Sequence, residues 1–316
     1  MFSPTLFTLF TLLPLALSAP LLGRGDDNEN KTPTTPLSIG DLESKFLRSA
    51  QFTRVAYCSS KAVTNWQCGG PCDDIGKGVK VIQAGGDDGL VPMYFVAHDP
   101  TDNSIVVAHQ GTDPFKLLSI VNDAEFLLKD LNTTLITSGK DKGIQVHDGF
   151  QDTFERTADE VLDAVKRGMN DFNTTKVHVS GHSLGAAIAT LDSLMLKQQL
   201  DKSVGLTTTV FGMPRTGNQE FADFVDAMLG SSFTRITNQN DPVPRVPPQL
   251  IGYHHASGEV FIKSVDSNGQ ATDVVQCPGQ ENENCGTGND LKITSIPNHL
   301  GPYFDDISFS EFACPL

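Results

Sequence analysis

The chain has 316 residues, of which 39% are hydrophobic and 19% are charged, a composition typical of globular proteins with one large core. Its 23 basic and 38 acidic residues give a formal net charge of −15, which argues against nucleic acid and anionic membrane surfaces as partners. A single α/β domain commonly has this size, so the length does not require a second domain.

The N-terminus has the pattern of a signal peptide. Residues 2–19 carry no charged side chain, and residues 6–17 form an apolar run that is too short to cross a bilayer. Small residues at 16–19 favour cleavage after Ala19. We therefore predict a signal peptide over residues 1–19, a polar, disordered leader or possible propeptide over residues 20–36, and one folded domain over residues 37–316. No other stretch has the length and hydropathy of a membrane span, so secretion into the extracellular medium is expected.

Six cysteines in a secreted chain indicate disulfides. Cys68 with Cys72, and Cys277 with Cys285, would each close a small loop rich in turn residues, which leaves Cys58 to pair with Cys314. The spacings do not match a structural zinc site, so no metal is expected. Three sequons make Asn30, Asn132 and Asn173 candidates for N-glycosylation.

The first predicted elements are a helix and a hairpin. Apolar residues at helical spacing predict a helix that begins near Ser38 and runs past Ala50. Residues 89–97 and 104–108 read as two strands joined by a turn. A loop, His109-Gln-Gly-Thr112, follows directly; Thr112 is a candidate oxyanion donor there, with an ordinary turn as the alternative.

Residues 114–131 are unusually rich in large apolar side chains. The pattern by itself predicts a core helix and strand, and a mobile lid over the site is the alternative. The apolar residues include Phe115, Leu117, Leu118, Ile120, Val121 and Phe126.

The central motif is Gly181-His-Ser-Leu-Gly185, which fits the G-x-S-x-G turn of serine hydrolases. An amphipathic helix from about His147 precedes it, then an apolar strand that starts at Lys176; a helix rich in small residues follows it. This strand–turn–helix context is what the motif requires to expose a nucleophile. We therefore predict Ser183 as the nucleophile, with the N-terminus of the next helix directed towards an oxyanion.

The remaining elements predict an α/β fold. Strands over 206–211, 232–238 and 259–262 alternate with a helix over 218–229. Such alternation predicts a mainly parallel central sheet flanked by helices, with sites at the carboxyl ends of the strands.

A serine nucleophile needs a histidine base and a carboxylate that orients it, and in this fold they follow the serine as acid and then histidine. His299, in a loop flanked by Pro and Gly, suits the base better than His254 or His255, which precede a strand. Asp241 directly follows a strand and precedes Pro242, and it has the best setting for the acid. Other possible acids are Asp223 and Asp226 on a helix and Asp266 and Asp273 in a later polar loop; His178 and His182 are expected to be structural.

Seven short segments occur in one order along the chain: Ala56-Tyr-Cys58, His109-Gln-Gly-Thr112, Val146-His-Asp-Gly-Phe150, Val179-Ser-Gly-His-Ser-Leu-Gly-Ala186, Phe211-Gly-Met-Pro-Arg-Thr-Gly217, Asn240-Asp-Pro-Val-Pro244 and Pro297-Asn-His299. Together they resemble the fungal secreted class 3 lipases, the filamentous-fungus triacylglycerol lipases, over residues 37–316. The resemblance implies an α/β-hydrolase fold with a lid helix and a triad of Ser183, Asp241 and His299. It also implies an oxyanion hole of Thr112 and the N–H of Leu184, and a lid from about Asp113 to Phe126.

Two features depart from the better-known members of this family. Gln110 stands where they carry Arg, and Trp66, the single tryptophan, lies outside the lid segment. The His-Gln-Gly-Thr form and the loop from Cys277 to Cys285 resemble a yeast-like and basidiomycete branch, some of whose members prefer mono- and diacylglycerols.

The expected function is therefore hydrolysis of acylglycerol esters through an acyl-enzyme, by a monomer acting at a lipid–water interface and without a cofactor. A feruloyl or short-chain carboxylesterase on the same scaffold is an alternative. A catalytically inactive lipid-binding protein and a peptidase are more distant alternatives, because the triad is complete and nothing indicates a peptide cleft.

Overall fold

The computed structural model of the protein describes residues 30–86, 91–112, 127–290 and 292–314. The predicted signal peptide lies outside these residues, as does the predicted lid with Asp113, Phe115, Leu117, Leu118, Ile120, Val121 and Phe126. None of the described helices combines the length and the hydropathy needed to cross a membrane.

The described strands form two sheets. In chain order they are β1 Thr35–Pro36, β2 Lys80–Gly85, β3 Tyr94–Asp99, β4 Ser104–His109, β5 Leu128–Asp130, β6 Gln145–His147, β7 Lys176–His182, β8 Gly205–Phe211, β9 Gly217–Asn218, β10 Phe233–Asn238, β11 Tyr253–His254, β12 Glu259–Val265 and β13 Ala271–Cys277. The large sheet has nine strands in the order β1-β13-β12-β10-β8-β7-β4-β3-β2, and the small one has the order β11-β9-β6-β5.

The five central strands of the large sheet, β12, β10, β8, β7 and β4, are parallel to one another. Antiparallel strands extend it at both ends, so the sheet as a whole is mixed. The predicted parallel order therefore holds at the centre. Because the central strands are parallel, their carboxyl ends lie along one edge, and β4, β7 and β10 lead at that edge into Thr112, Ser183 and Asp241.

The described residues form seven α-helices: α1 Ile39–Val55, α2 Ser60–Thr64, α3 Gly70–Ile75, α4 Asp148–Asp171, α5 Leu184–Gln199, α6 Gln219–Leu229 and α7 Ile296–Leu300. The predicted starts of two of them are confirmed by their caps. The Ser38 side chain accepts a hydrogen bond from the N–H of Asp41, and the His147 side chain accepts one from the N–H of Gly149.

Side chains that alternate along β4 enter different cores, as the two-residue period of a strand requires. Ile105 and Val107 pack into the cluster shared with α4, α5 and α6, whereas Val106 and Ala108 pack into the cluster beside α1 and α3. Helices thus cover both faces. The helix α5 is buried along most of its length, which explains its small and apolar composition.

The segment 30–36 belongs to the fold, which corrects the prediction that the leader is disordered up to residue 36. The Asn30 amide donates to the carbonyl of Gln280 at 2.7 Å, and the Asn282 amide donates to the carbonyl of Thr32 at 2.9 Å. Thr35–Pro36 then pairs with β13 as an edge strand. The sequence is polar here because these contacts are made by amides and backbone groups rather than by an apolar face.

Three disulfides join Cys58 with Cys314, Cys68 with Cys72, and Cys277 with Cys285. These are the pairs expected from the sequence. The first connects the end of α1 with the C-terminal segment, across 256 residues of chain.

Candidate active site

The predicted nucleophile lies at the sharp turn between β7 and α5. Ser183 has φ +58° and ψ −126°, a conformation that few non-glycine residues adopt. A Cβ atom added to Gly181 would lie 2.3 Å from the carbonyl oxygen of Gly185, so the strand and the helix approach each other too closely for a side chain. The two glycines of the motif are therefore explained by packing beneath Ser183.

Asp241 and His299 form a hydrogen-bonded pair. The distance between His299 Nδ1 and Asp241 Oδ2 is 2.9 Å, and both residues are almost fully buried. The other carboxylate oxygen, Oδ1, accepts from the N–H of Val243 at 2.8 Å. With Nδ1–H donating to the carboxylate, the other ring nitrogen, Nε2, carries the lone pair that a general base uses.

His299 lies on the one-turn helix α7, not in the open loop expected from its flanking Pro and Gly residues. The Ser295 side chain caps this helix by accepting from the N–H of Asn298. The N–H of Ser295 also donates to the carbonyl of Asn240 at 2.9 Å, which ties the helix to the loop that carries Asp241. The sequence predicts a helix of this length poorly, because a single turn has no apolar period.

Three side-chain atoms that ester hydrolysis would use have no hydrogen-bond partner among the described residues, although each is buried. They are Ser183 Oγ, His299 Nε2 and Thr112 Oγ1. Buried polar atoms are usually paired in folded proteins. Unpaired atoms on these three residues therefore mark a candidate site for a polar reactant.

The loop formed by Gln110, Gly111 and Thr112, which we call the oxyanion loop, lies against Ser183. A Cβ atom on Gly111 would lie 2.7 Å from the Cβ of Ser183. The side-chain oxygen of Gln110 accepts from the backbone N–H of Met93 at 3.0 Å, and the backbone N–H of Gln110 donates to the carbonyl of Met93 at 2.8 Å. The Gln that replaces the Arg of better-known members thus anchors the loop to Met93, the residue directly before β3.

The second expected donor, the N–H of Leu184, is at the start of α5. The first N–H groups of a helix have no intrahelical acceptor and lie at the positive end of its dipole. Leu184 therefore adjoins Ser183 with an N–H that can donate to an anion, and the oxyanion loop, which ends at Thr112, meets Ser183 at Gly111.

A buried hydrogen-bond chain behind these residues is absent from the sequence predictions. The Tyr57 hydroxyl lies 2.5 Å from His182 Nδ1 and accepts from the N–H of Gly111 at 3.2 Å. On the other side of the ring, His182 Nε2 lies 2.9 Å from the carbonyl oxygen of His299. Tyr57 has a signal in the sequence only as part of Ala56-Tyr-Cys58, which by itself indicates no role.

This chain of contacts fixes the protonation of His182. Tyr57 donates to Nδ1 and Nε2–H donates to the carbonyl, so the ring is neutral. Burial, with the neighbouring His299 second, holds the pKa of His182 well below its ordinary value. The His182 ring also packs against that of His299, with the ring centroids 4.4 Å apart and the planes tilted by 34°. The expectation that His182 is structural agrees with these contacts, which extend to the base itself.

The other candidate residues have separate structural contacts. His255 is buried, and its Nε2–H donates to the carbonyl of Pro244 at 2.7 Å, while His254 lies in β11. Asp226 accepts from the N–H and the hydroxyl of Ser257, and Asp223 accepts from the Gln219 amide. Asp266 closes its own turn by accepting from the N–H groups of Asn268 and Gln270.

Two further candidates also have structural explanations. Asp273 lies in β13, not in the predicted loop. His178 Nε2 lies 2.9 Å from Asp102, near the beginning of β7 and therefore at the edge of the sheet opposite Ser183.

A buried ion pair supports the loop over residues 241–247, which begins with Asp241 and which we call the acid loop. Arg215 donates to both carboxylate oxygens of Glu281, at 2.7 and 2.9 Å, and also to the carbonyls of Arg245 and Pro247. Glu281 lies inside the disulfide loop from Cys277 to Cys285, so that loop is connected to the backbone of the acid loop through one guanidinium. The sequence gives no signal for this pairing, because the two residues are far apart in the chain.

The three sequons differ in their surroundings. Asn173 is exposed at a turn with φ +48°, and Asn132 is half-buried and donates to Glu155 at 2.9 Å. The Asn30 amide nitrogen donates to the carbonyls of Pro278 and Gln280. Glycan attachment at Asn30 would replace an N–H that holds the N-terminal segment in place.

Comparison with known proteins places this geometry in a family. The family described as Lipase (class 3) matches residues 106–251. A secreted mono- and diacylglycerol lipase from Malassezia globosa is 34% identical over 238 residues, which cover 74% of this chain and 76% of that protein. One from Malassezia restricta is 34% identical over 200 residues, covering 63% of this chain and 61% of the relative.

Among solved structures, lipase II from Rhizopus niveus is similar, with a TM-score of 0.74 and 28% identity over 88% of this chain and 99% of that one. Both Malassezia relatives are named as secreted proteins, in agreement with the expected extracellular location. The chain therefore belongs to the class 3 lipase family and is a serine carboxylic-ester hydrolase with the α/β-hydrolase fold.

Proposed function

We propose that the protein hydrolyses acylglycerol esters with Ser183 as nucleophile, His299 as general base and Asp241 as the residue that orients His299. The observation that carries the proposal is the buried His299–Asp241 hydrogen bond of 2.9 Å beside three unpartnered buried atoms, Ser183 Oγ, His299 Nε2 and Thr112 Oγ1. These are the atoms that proton transfer and oxyanion binding need.

In this mechanism His299 Nε2 takes the Ser183 proton as the hydroxyl oxygen attacks the ester carbonyl. Thr112 and the N–H of Leu184 donate to the oxyanion of the tetrahedral intermediate. One such donor contributes about 3 kcal/mol of transition-state stabilisation. His299 then protonates the leaving glyceride alcohol, and water, activated by the same histidine, releases the fatty acid from the acyl-enzyme. Neither a metal nor an organic cofactor takes part in these steps.

The substrate class rests on the relatives. The Malassezia proteins are named mono- and diacylglycerol lipases, and the expected preference of this chain is the same. Exposed Leu127, Leu250 and Ile251 support action at a lipid–water interface, because large apolar side chains in water favour contact with an apolar surface. The proposed acting form is a monomer.

The test is hydrolysis of monoolein, diolein and triolein emulsions, of a soluble p-nitrophenyl ester and of methyl ferulate. We expect Ser183→Ala to lower every hydrolysis rate by at least about 10³-fold while the thermal unfolding midpoint changes little. Ser193→Ala is the matched control, because it removes another buried serine hydroxyl, which donates to the carbonyl of Ala189 and accepts from the hydroxyl of Thr208. Retained activity in Ser183→Ala would rule out the assigned nucleophile. Faster turnover of methyl ferulate than of every acylglycerol would favour the esterase alternative.

A further inference from the structure

The two proposed oxyanion donors come from different elements of the fold. Thr112 belongs to the oxyanion loop that follows β4, whereas Leu184 is the first residue of α5. An oxyanion hole works only when its donors lie about 2.7–3.1 Å from one developing charge. The rate of catalysis therefore depends on the position of the loop relative to the helix, and other residues must hold the loop in that position.

A buried pair, His109 and Asp192, joins α5 to β4, the strand that leads directly into the oxyanion loop. The distance between His109 Nε2 and Asp192 Oδ2 is 2.7 Å, and the two residues are 2% and 0% exposed. His109 is the last residue of β4, three positions before Thr112, and Asp192 lies on the helix that begins at Leu184. The proposed mechanism does not use either side chain.

Stability alone does not explain this pair. Replacing a buried ionic or hydrogen-bonded pair with apolar residues of similar volume is often neutral or stabilising, because burial removes the hydration of both groups. Here Asp192 Oδ1 also has no partner among the described residues, so part of the free-energy cost of removing its hydration is uncompensated. Burial raises the pKa of the Asp192 carboxyl, and the hydrogen bond from His109 opposes that rise.

The backbone beside the pair leaves no room for adjustment. A Cβ atom on Gly185 would lie 2.6 Å from the carbonyl oxygen of His109 and 2.4 Å from that of Gln110. The oxyanion loop thus rests directly on the first turn of α5. The His109 ring is held in turn by Tyr94, with centroids 5.9 Å apart and the planes 21° from parallel.

We propose that His109 and Asp192 are positioning residues, which hold the oxyanion loop in register with the first turn of α5. They act through Thr112 and Leu184 and do not contact the substrate. This inference rests on the proposed function, because it presupposes that Thr112 and Leu184 bind the oxyanion.

The first test is Asp192→Asn, which keeps the shape of the side chain and removes its charge. We expect kcat for p-nitrophenyl butyrate to fall about tenfold with KM within about twofold, because only the transition state uses the oxyanion hole. Affinity for butylboronic acid, which forms a tetrahedral anion on the serine, should weaken by a similar factor. Rates are normalised to the fraction of enzyme that a phosphonate ester titrates.

The second test separates positioning from stability. In the double variant His109→Leu/Asp192→Leu an apolar pair fills the same site, so we expect the thermal unfolding midpoint to be retained and kcat to stay low. The matched control is Asp99→Asn, which weakens the partly buried pair that Asp99, at the other end of the β3–β4 hairpin, forms with Arg48. It should lower the unfolding midpoint and leave kcat and boronate affinity unchanged.

Wild-type kcat and boronate affinity in Asp192→Asn would overturn the inference, as would wild-type values in a folded double variant. If the double variant does not fold, Asp192→Asn alone decides. The proposed function fails separately, if the wild-type protein does not hydrolyse the ester or if Ser183→Ala still does. An active wild type, an inactive Ser183→Ala and an unchanged Asp192→Asn would remove only the positioning role.

Discussion

At the scale of single residues, Tyr57 and His182 join parts of the candidate site that are distant in the sequence. The Tyr57 hydroxyl contacts both the N–H of Gly111 in the oxyanion loop and the ring of His182, which in turn holds the carbonyl of His299. One buried hydroxyl thus connects the donor side of the site with the base. Tyr57, which is outside the proposed triad, can therefore affect both the oxyanion loop and His299.

Replacing Tyr57 with Phe should lower kcat and stability together. The substitution leaves the N–H of Gly111 and Nδ1 of His182 buried without a partner, and each such group costs about 1–3 kcal/mol. We expect kcat on a soluble ester to fall by about one order of magnitude, with a lower midpoint in urea unfolding. Tyr253→Phe is the control, because the Tyr253 hydroxyl has no partner among the described residues. Equal effects of the two substitutions would contradict a role for the hydrogen-bond chain through Tyr57 and His182 in catalysis.

At Gly185 the first turn of α5 lies directly against the backbone of the oxyanion loop. In Gly185→Ala the new Cβ would overlap the carbonyl oxygens of His109 and Gln110, at 2.6 and 2.4 Å. Overpacking of this kind costs about 1–3 kcal/mol, and here the strain displaces Thr112 as well. We expect lower stability and a lower kcat, measured by thermal unfolding and by ester hydrolysis. In Gly205→Ala the nearest atom would be 3.9 Å away, so both quantities should stay at wild-type values.

At the scale of elements, the disulfide loop from Cys277 to Cys285 acts as a support for the acid loop. Its Glu281 carboxylate accepts from Arg215, from the N–H of His255 and from the hydroxyl of Thr287. Arg215 continues to the carbonyls of Arg245 and Pro247. Burial raises the pKa of Glu281, but hydrogen bonding and the positive charge of Arg215 outweigh it, so the net pKa lies well below the ordinary value.

This pKa shift predicts a pH-dependent stability. A carboxyl whose pKa is lowered by folding stabilises the protein above its unfolded-state pKa of 4.5, and that contribution is lost as the pH falls towards the folded-state value. Glu281→Gln should therefore lower the free energy of unfolding by about 3–5 kcal/mol at neutral pH. The difference from wild type should shrink below pH 4.5, which urea titrations at several pH values would measure. A difference that grows in acid would contradict the assigned ion pair.

At the scale of the whole molecule, the bond between Cys58 and Cys314 fixes the C-terminal segment to the end of α1. It closes a loop of 256 residues, whereas the bond between Cys68 and Cys72 closes one of 4. The loss of chain entropy in the unfolded state increases with loop length, so the two bonds should differ in their effect on stability.

Replacing Cys58 and Cys314 with Ala should lower the free energy of unfolding by about 3–5 kcal/mol, measured in urea. The matched double substitution of Cys68 and Cys72 should cost clearly less, since its loop is short. Equal losses would show that packing around the bonds, and not loop length, sets their contribution. A pair that forms no bond in the secreted protein would appear as two free thiols in a titration under denaturing conditions.

The elements that the sequence predicts well are those in which apolar residues recur at a regular spacing. The helices α1 and α4 and the strands β4, β7 and β10 bury one face or both, which requires apolar residues at regular spacing. The strands β2 and β13 lie towards the edges and are partly exposed, so their patterns are mixed and the sequence does not identify them. The strands β9 and β11 are only two residues long, too short for any period.

The candidate site likewise contains residues that the sequence identifies and residues that it does not. Ser183 and the glycines around it are identifiable from the sequence, because a strained turn between a strand and a helix restricts which residues fit locally. Asp241 and His299 follow from chain order and the residue types that the chemistry needs. By itself, then, the sequence determined the class of chemistry and the fold.

Only the tertiary structure decided how the site is supported. Tyr57, His109, Asp192, Arg215 and Glu281 each form a hydrogen bond to a partner far away in the chain, and their roles arise because the fold brings those elements together. The sequence shows Tyr57, His109 and Arg215 within short motifs, but it does not show which residues they contact, because the partners lie in other elements of the fold. Local sequence thus specifies the reacting groups, and the packing of distant elements specifies the geometry in which they react.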